Sequence, residues 1–524
     1  MHHFGFVRAA AGVPVRYRPG DDAILREHRQ LISAAMERDV ELLAFPFMSL
    51  AGTWEDGDLF QDDILLRITK QFSDLMAFTA GADLVMVIGM PVLCRNAVYP
   101  AAVICQRGTV LGVVPGTPAK DAASASHDAG SSITLLGQTV PFSRDIIVRA
   151  KNYAFGVIAS GSDAVSAAER LSRQGAALLV HLAAKGFAAG SSEAKKTFIA
   201  GISAQMHTGY LYVNAGAAHG SHMPICAGDC YLFENGVLLK ESAQFSGRST
   251  LLIGDTDQQA VKKCRRMDGK QNAPCIEITA FDSQKELQTL TRAISPTPYL
   301  VHPDKALDEV LRVQSAALCS RIAAQPNAKL CLLAAGSPNT VLAMLACKKA
   351  VQQAGIPMEQ AMVVISDDMR DLKGASACDL MELAQKLELP VTHLAEKDGL
   401  LVSTGDLSDI AFGLPAGIGF SINAALPKMA LYRMAGAAKL ELPKSMLQLP
   451  LSEKGQVVYD FFLYFRLRYG FEREKLLFLA RHAFRASFDQ HQIEIMYQYF
   501  DQHCLPAGEL TRRMGQDILG ILCR

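Results

Sequence analysis

The chain lacks an excess of charge of either sign: 52 Lys and Arg stand against 52 Asp and Glu. That balance removes the global field by which nucleic-acid-binding and membrane-surface proteins hold anionic partners, so neither partner is expected. The only dense basic run, Lys262-Lys263-Cys264-Arg265-Arg266, reads as part of a solvated linker. No apolar run of bilayer-spanning length escapes interruption by charge. Met1-His2-His3-Phe4-Gly5-Phe6-Val7-Arg8 lacks the charged start and apolar core of a secretory signal, which makes the cytoplasm the expected location. Internal repeats and low-complexity segments are also missing; the small-residue stretch from Ala119 to Ser132 comes nearest and reads as a flexible loop. What is present is 524 residues, half of them apolar, enough for two or more well-buried domains. The 12 cysteines are scattered through apolar segments such as Val103-Ile104-Cys105, as reduced, buried thiols would be.

Up to about Thr256 short apolar runs of buried-strand type alternate with amphipathic stretches. Leu42 to Phe45, Leu84 to Ile88, Ala101 to Ile104 and Ala177 to Val180 are the strands. Ala23 to Arg38 and Asp163 to Gln174 are helices, the second capped by Ser162-Asp163. Gly137 to Val148 and Gly228 to Ser242 add further strands, the latter turning at Glu234-Asn235-Gly236. The succession implies a layered α/β domain over residues 1–256. The polar stretch 257–298, with Pro274 and Pro296, reads as a linker. In 299–524, helices at Lys305 to Ala324, Thr340 to Ala354 and Cys378 to Leu387 alternate with strands at Lys329 to Leu333, Met362 to Ser366 and Pro390 to Leu394. That is the order of a doubly wound sheet, followed from Glu453 by a mostly helical tail.

The loop Leu332-Leu333-Ala334-Ala335-Gly336-Ser337-Pro338-Asn339-Thr340 occupies a strand end where such sheets bind ligands. A phosphate-cradling turn needs glycines, free N–H donors, hydroxyls and usually a carboxylate for magnesium. This loop keeps Gly336, Ser337 and Thr340, but has alanine at two useful positions and Pro338, which lacks a donor, where a carboxylate would be expected.

Read together, several segments resemble the long bacterial form of glutamine-dependent NAD synthetase. They are Phe4-Gly5-Phe6-Val7-Arg8, Phe45-Pro46 with Ser49-Leu50, Leu111-Gly112-Val113-Val114-Pro115, Phe233-Glu234-Asn235-Gly236, Ser403-Thr404-Gly405-Asp406-Leu407-Ser408-Asp409, Leu426-Pro427-Lys428 and Leu467-Arg468-Tyr469-Gly470-Phe471. The resemblance implies an amino-terminal nitrilase-like α-β-β-α sandwich and a carboxy-terminal PP-loop domain of the adenine nucleotide alpha hydrolase-like kind. It implies amidation of nicotinate adenine dinucleotide with ATP and ammonia or glutamine, ATP and magnesium as cofactors, and large oligomers.

Position by position, that chemistry looks substituted. Amide hydrolysis by a nitrilase route needs a thiolate nucleophile, a proton-moving glutamate and an oxyanion-stabilising lysine. The resemblance puts Phe47 at the glutamate, Gly116 at the lysine and Ser160 at the cysteine, in Ala159-Ser160-Gly161-Ser162. Lys120, four residues beyond Gly116, is the one nearby replacement cation. The family's Ser-Gly-Gly-x-Asp-Ser loop falls on Ala334, Ala335 and Gly336, with Pro338 at the aspartate, leaving Gly336, Ser337, Asn339 and Thr340 as a vestigial ATP loop. Gly405, Asp406, Ser408 and Asp409 keep the second half of that site. The family's helical excursion is missing between Leu394 and Leu401, the segment between Gly413 and Ile422 is shortened, and no Ser-Pro-Arg-Gly-Asp-Trp follows Cys504-Leu505-Pro506.

The expectation is therefore a degenerate relative, inactive as a glutaminase and impaired or inactive as a synthetase. It would be retained for assembly or regulation, as a homo-oligomer or with an active synthetase that it modulates; the alternative is a working NAD synthetase. No resident metal is expected. His219, His222, Cys226 and Cys230 are close enough in sequence to ligate zinc, but their spacing matches no standard motif, and a glycine-rich loop entering the Tyr231-Leu232-Phe233 strand is the simpler reading.

Overall fold

A computed structural model describes residues 4–52, 61–95, 97–116, 131–151, 153–159, 163–216, 218, 225–268, 273–281, 287, 289–300, 303–334, 337–365, 377–392, 399–414, 419–438, 440–442, 455–506 and 509–510. The chain divides into two compact units, Met1–Arg292 and Ala293–Arg524.

The first unit stacks two sheets. One runs in spatial order Thr250–Asp257, Phe6–Val13, Leu42–Ala44, Val85–Cys94, Ala97–Gln106 and Thr109–Pro115. The other runs Val237–Glu241, Cys230–Glu234, Gly209–Asn214, Leu178–Ala183, Ala154–Ile158, Ile146–Arg149 and Ile276–Thr279. Successive side chains of a strand point to opposite faces, so the apolar runs split between two cores. Val7, Ala9, Leu42, Val85 and Val87 meet Phe155, Val157, Leu178 and Val180 between the sheets. Ala10, Leu43, Met86 and Ile88 instead share a core with residues of the helices Asp22–Met36 and Asp62–Phe78. Beyond the second sheet, Leu179, Tyr210 and Tyr212 share a core with residues of the helices Ala164–Arg173 and Ser191–Met206. This is the expected α-β-β-α sandwich. Asp163 caps its helix as read, its Oδ1 accepting from the Val165 N–H at 3.0 Å.

The stretch read as a linker is corrected. Gln258–Asp268 is a helix and Ile276–Thr279 an edge strand pairing in parallel with Ile146–Arg149. The helix buries Ala260 and Val261, and Arg265 donates to the carbonyls of Ser172 and Ala176 where the Ala164–Arg173 helix ends. The basic cluster thus has one member serving as a helix-terminal donor, which composition alone does not reveal.

In the second unit five strands run parallel in the order Val391–Thr392, Ala361–Val364, Leu330–Leu333, Leu400–Asp406 and Phe420–Asn423. In chain order this is 3-2-1-4-5, a doubly wound sheet whose switch point lies between Leu330–Leu333 and Leu400–Asp406. Helices Pro303–Ala324, Pro338–Ala354 and Lys428–Ala437 contribute Leu318, Leu342, Ala346 and Leu431 to its core. The tail comprises Gln456–Tyr469, Arg473–Ala483 and Gln490–His503, joined by edge-on contacts such as Phe462 on Tyr497 and Phe461 on Phe484. Among the described residues no helix is long and apolar enough to cross a membrane.

Candidate functional site

Parallel strands end in loops at the carboxyl edge of each unit's sheets, and the candidate positions stand there. In the first unit Pro46, Phe47 and Met48 form a tight turn after the Leu42–Ala44 strand. Met48 takes a left-handed φ of 58°, and the turn presses so closely on the next strand that a Cβ on Gly89 would lie 2.3 Å from the Pro46 carbonyl oxygen. Glycine is required there. Behind the turn His28 is fully buried, its Nδ1 2.7 Å from the Ile24 carbonyl and its Nε2 3.2 Å from Ser49 Oγ. Burial lowers the imidazole pKa to about 4, so His28 is a neutral fixture of the turn.

Phe47 packs against the inter-sheet core and against the core beneath the first two helices. Its ring lies on Gly116, just past the Thr109–Pro115 strand. A Cβ added to Gly116 would stand 2.9 Å from Phe47 Cζ, 3.1 Å from Cε2 and 2.9 Å from the Pro100 carbonyl oxygen. The Gly116 backbone is also fixed, its N–H donating to the Pro100 carbonyl at 2.8 Å and its carbonyl accepting from Arg144 Nη2 at 3.0 Å. Phe47 and Gly116, where the resemblance expects a proton-moving glutamate and an oxyanion-binding lysine, are therefore neighbours in space. The third position, Ser160, follows Ala159 at the end of the Ala154–Ile158 strand and lies outside the described residues, as does Lys120.

Asn214, Asp229 and Lys195 form a polar cluster at this edge. Asn214 Nδ2 donates to Asp229 Oδ1 at 2.7 Å, and Lys195 Nζ reaches Asp229 Oδ2 at 2.6 Å, the carboxylate being buried. Of the four candidate zinc ligands, His219 and His222 lie outside the described residues. Cys226 and Cys230 are buried, with the Cys230 thiol 3.8 Å from the Gly228 carbonyl. Among the described residues no group of three or more His, Cys, Asp or Glu side chains could hold a metal ion.

In the second unit the candidate ATP loop opens the Pro338–Ala354 helix. Ser337 is the N-cap but makes no side-chain capping bond, and Pro338 takes the first helical position, where its missing N–H costs nothing. Gly336 lies outside the described residues. Asn339 and Thr340 are buried in the first turn. Asn339 Nδ2 donates to Asp406 Oδ2 at 2.8 Å and to the Thr404 carbonyl at 3.1 Å, and Asn423 Nδ2 donates to the Asn339 carbonyl at 3.0 Å. Asn339 thus ties the first strand–helix loop to the fourth strand across the switch point.

Asp406 caps the short helix Leu407–Ala411 in a reciprocal box with Asp409: Oδ1 accepts from the Asp409 N–H at 2.8 Å, while Asp409 Oδ2 accepts from the Asp406 N–H at 3.2 Å. Lys428 Nζ completes the cluster, 2.7 Å from Asp409 Oδ1 and 3.3 Å from Asp406 Oδ2. Burial first, and then the Asp409 charge, raise the Asp406 carboxyl to about 7. A magnesium ion finds a poor fit here: each carboxylate is engaged at both oxygens, and the cation between them is already an ammonium. Ser408 turns inward, donating to Asp460 Oδ1 at 2.7 Å. Asp460 also accepts from the Met429 N–H and from Gln456 Nε2, and its burial raises its carboxyl to about 6.

Sequence reasoning missed Lys428 and Asp460 as members of this cluster. Lys428 sits in the Leu426-Pro427-Lys428 landmark, and an aspartate within the aromatic run from Tyr459 to Phe465 signals a buried polar partner.

No family model matches the chain. In sequence it is 22% identical over 593 aligned residues to the glutamine-dependent NAD(+) synthetase of Mycobacterium bovis, covering 92% of this chain and 86% of that protein. It is 22% identical over 591 residues to the Mycobacterium leprae enzyme of the same name, covering 91% and 86%. Among solved structures, the glutamine-dependent NAD(+) synthetase from Cytophaga hutchinsonii aligns with a TM-score of 0.42 at 12% identity, over 94% of this chain and 91% of that one. The resemblance read from scattered motifs therefore extends along nearly the whole chain.

Proposed function

We propose that this protein is a degenerate relative of glutamine-dependent NAD synthetase, inactive as a glutaminase and impaired or inactive as an ATP-dependent synthetase, and retained for assembly or regulation. The observation that carries this reading is the packing of Phe47 on Gly116. Neither residue can move a proton or bind an oxyanion, and their fit leaves no room for a side chain that could. Triads of this kind act as units, so losing one member removes most of the rate and losing several leaves little to recover. The second unit supports the same reading, since Asn339, Lys428 and Asp409 occupy the Asp406 carboxylate from within.

The competing reading, a working synthetase using ammonia or glutamine, is favoured by retention of the Gly405 to Asp409 segment. The two are separated by incubating the purified full chain with nicotinate adenine dinucleotide, ATP and magnesium, once with ammonia and once with glutamine. No NAD above a no-protein control is expected with either donor. Product that scales with protein and disappears on Asp406→Ala substitution establishes the synthetase reading instead. For assembly, the chain is expected to elute as an oligomer or to co-purify with an active synthetase. A monomer without such a partner at physiological concentration removes the assembly role.

A further inference from the structure

Where the first unit ends, hydrogen bonds and ion pairs to buried carboxylates hold the chain down. Thr291 donates through both its N–H and its hydroxyl to Asp255 Oδ2, the hydroxyl at 2.9 Å. Asp255 is fully buried on the Thr250–Asp257 strand and is gripped from its other side by Arg8, Nε to Oδ1 at 2.8 Å. Arg8 continues the chain of contacts, its Nη2 donating to the Thr289 carbonyl at 2.6 Å. One residue further, Arg292 Nη1 reaches Glu234 Oε1 at 3.0 Å and Oε2 at 3.2 Å. The Glu234 side chain is 9% exposed and also accepts from the Asp257 N–H. Thr289, Thr291 and Ala293 themselves remain exposed.

A segment with little apolar burial but anchored on two buried carboxylates differs in kind from the cores beneath it. Its attachment depends on charge-assisted hydrogen bonds, strong while complete, and it belongs to the class of local structure that opens without global unfolding. We propose that residues 289–292 form a strap, a separately releasable segment by which the first unit fixes the point where the chain departs for the second. Glu234 and Asp255 are its two anchor points and Arg292 its terminal bolt. The strap stands on other residues than the proposed loss of catalysis and holds whether or not NAD is made.

Hydrogen exchange read by mass spectrometry on the full chain tests it. Arg292→Met alone would strand a buried carboxylate, so the informative variant is the double substitution Glu234→Gln with Arg292→Met, which removes both charges together. Peptides covering 289–292 are expected to exchange at least about tenfold faster, while those covering Leu178–Ala183 and Ala154–Ile158 exchange as before. Arg292→Lys, which keeps a cation over Glu234, is expected to stay close to the unaltered chain. Unchanged protection of 289–292 in the double variant overturns the strap. So does faster exchange spread equally through the sheet strands, because the ion pair would then be a general support of the unit.

Discussion

Phe47 and Gly116 are distant in sequence and neighbours in space. A side chain at 116 must displace the Phe47 ring or the Pro100 carbonyl, so Gly116→Lys alone is expected to destabilise the first unit by about 1–3 kcal/mol, as overpacking does. In a Phe47→Ala background the penalty should shrink, and a double-mutant cycle by denaturant unfolding should return a coupling of about 0.5–3 kcal/mol. Additive effects would show that the two residues do not share the space assigned to them. At Asp406 and Asp460 the titration has a definite sign. Both carboxyls are raised in the folded state, to about 7 and about 6, so between about pH 4 and pH 7 the folded chain holds protons that the unfolded chain has lost. Their contribution to stability therefore falls as pH rises through that window. The urea midpoint of the second unit is expected to be lower at about pH 7.5 than at about pH 5, with a smaller difference in Asp460→Asn. An unchanged slope in that variant would contradict the assignment.

Elements were legible where burial follows a period and illegible where polar residues have specific partners. The runs at Leu42, Leu178 and Leu330 announce strands because both their faces are buried, and the capped helix at Asp163 begins where its side-chain acceptor allows. Gln258–Asp268 was hidden because its charges look solvated in sequence, whereas Arg265 donates to the Ser172 carbonyl in the last turn of another helix and to the Ala176 carbonyl just beyond it. Arg265→Ala should cost about 1.5–3 kcal/mol through the loss of its charge-assisted hydrogen bonds to the Ser172 and Ala176 carbonyls; a loss within about 0.5 kcal/mol would return the segment to the status of a tethered linker. The vestigial loop was legible as a strand–turn–helix but not as a polar tie, because Asn339 reads as a surviving loop residue and is in fact an interior donor to Asp406. Lys428 belongs to that tie. Lys428→Met takes the cation from the buried Asp406 and from Asp409, and a loss of about 3–5 kcal/mol is expected by urea unfolding at about pH 8, where Asp406 is ionised, shrinking towards about pH 5.

At the scale of the molecule, two compact units have their own cores, and the sequence likeness to glutamine-dependent NAD synthetases runs along nearly the whole chain. The motifs betrayed this because they lie at turns, caps and strand ends that the fold needs whatever chemistry it carries. The proposed loss of catalysis was legible only as a set of substitutions. That Phe47 fills the space beside Gly116, and that Lys428 holds the two aspartates, are facts of packing that no single position announces. The most direct measurement is glutamate release from glutamine by the purified, unaltered full chain, followed against a no-protein control. The account predicts no release above that control. Release that is proportional to protein and abolished by Ser160→Ala would contradict it, because a working nucleophile would then stand where a filled site has been inferred.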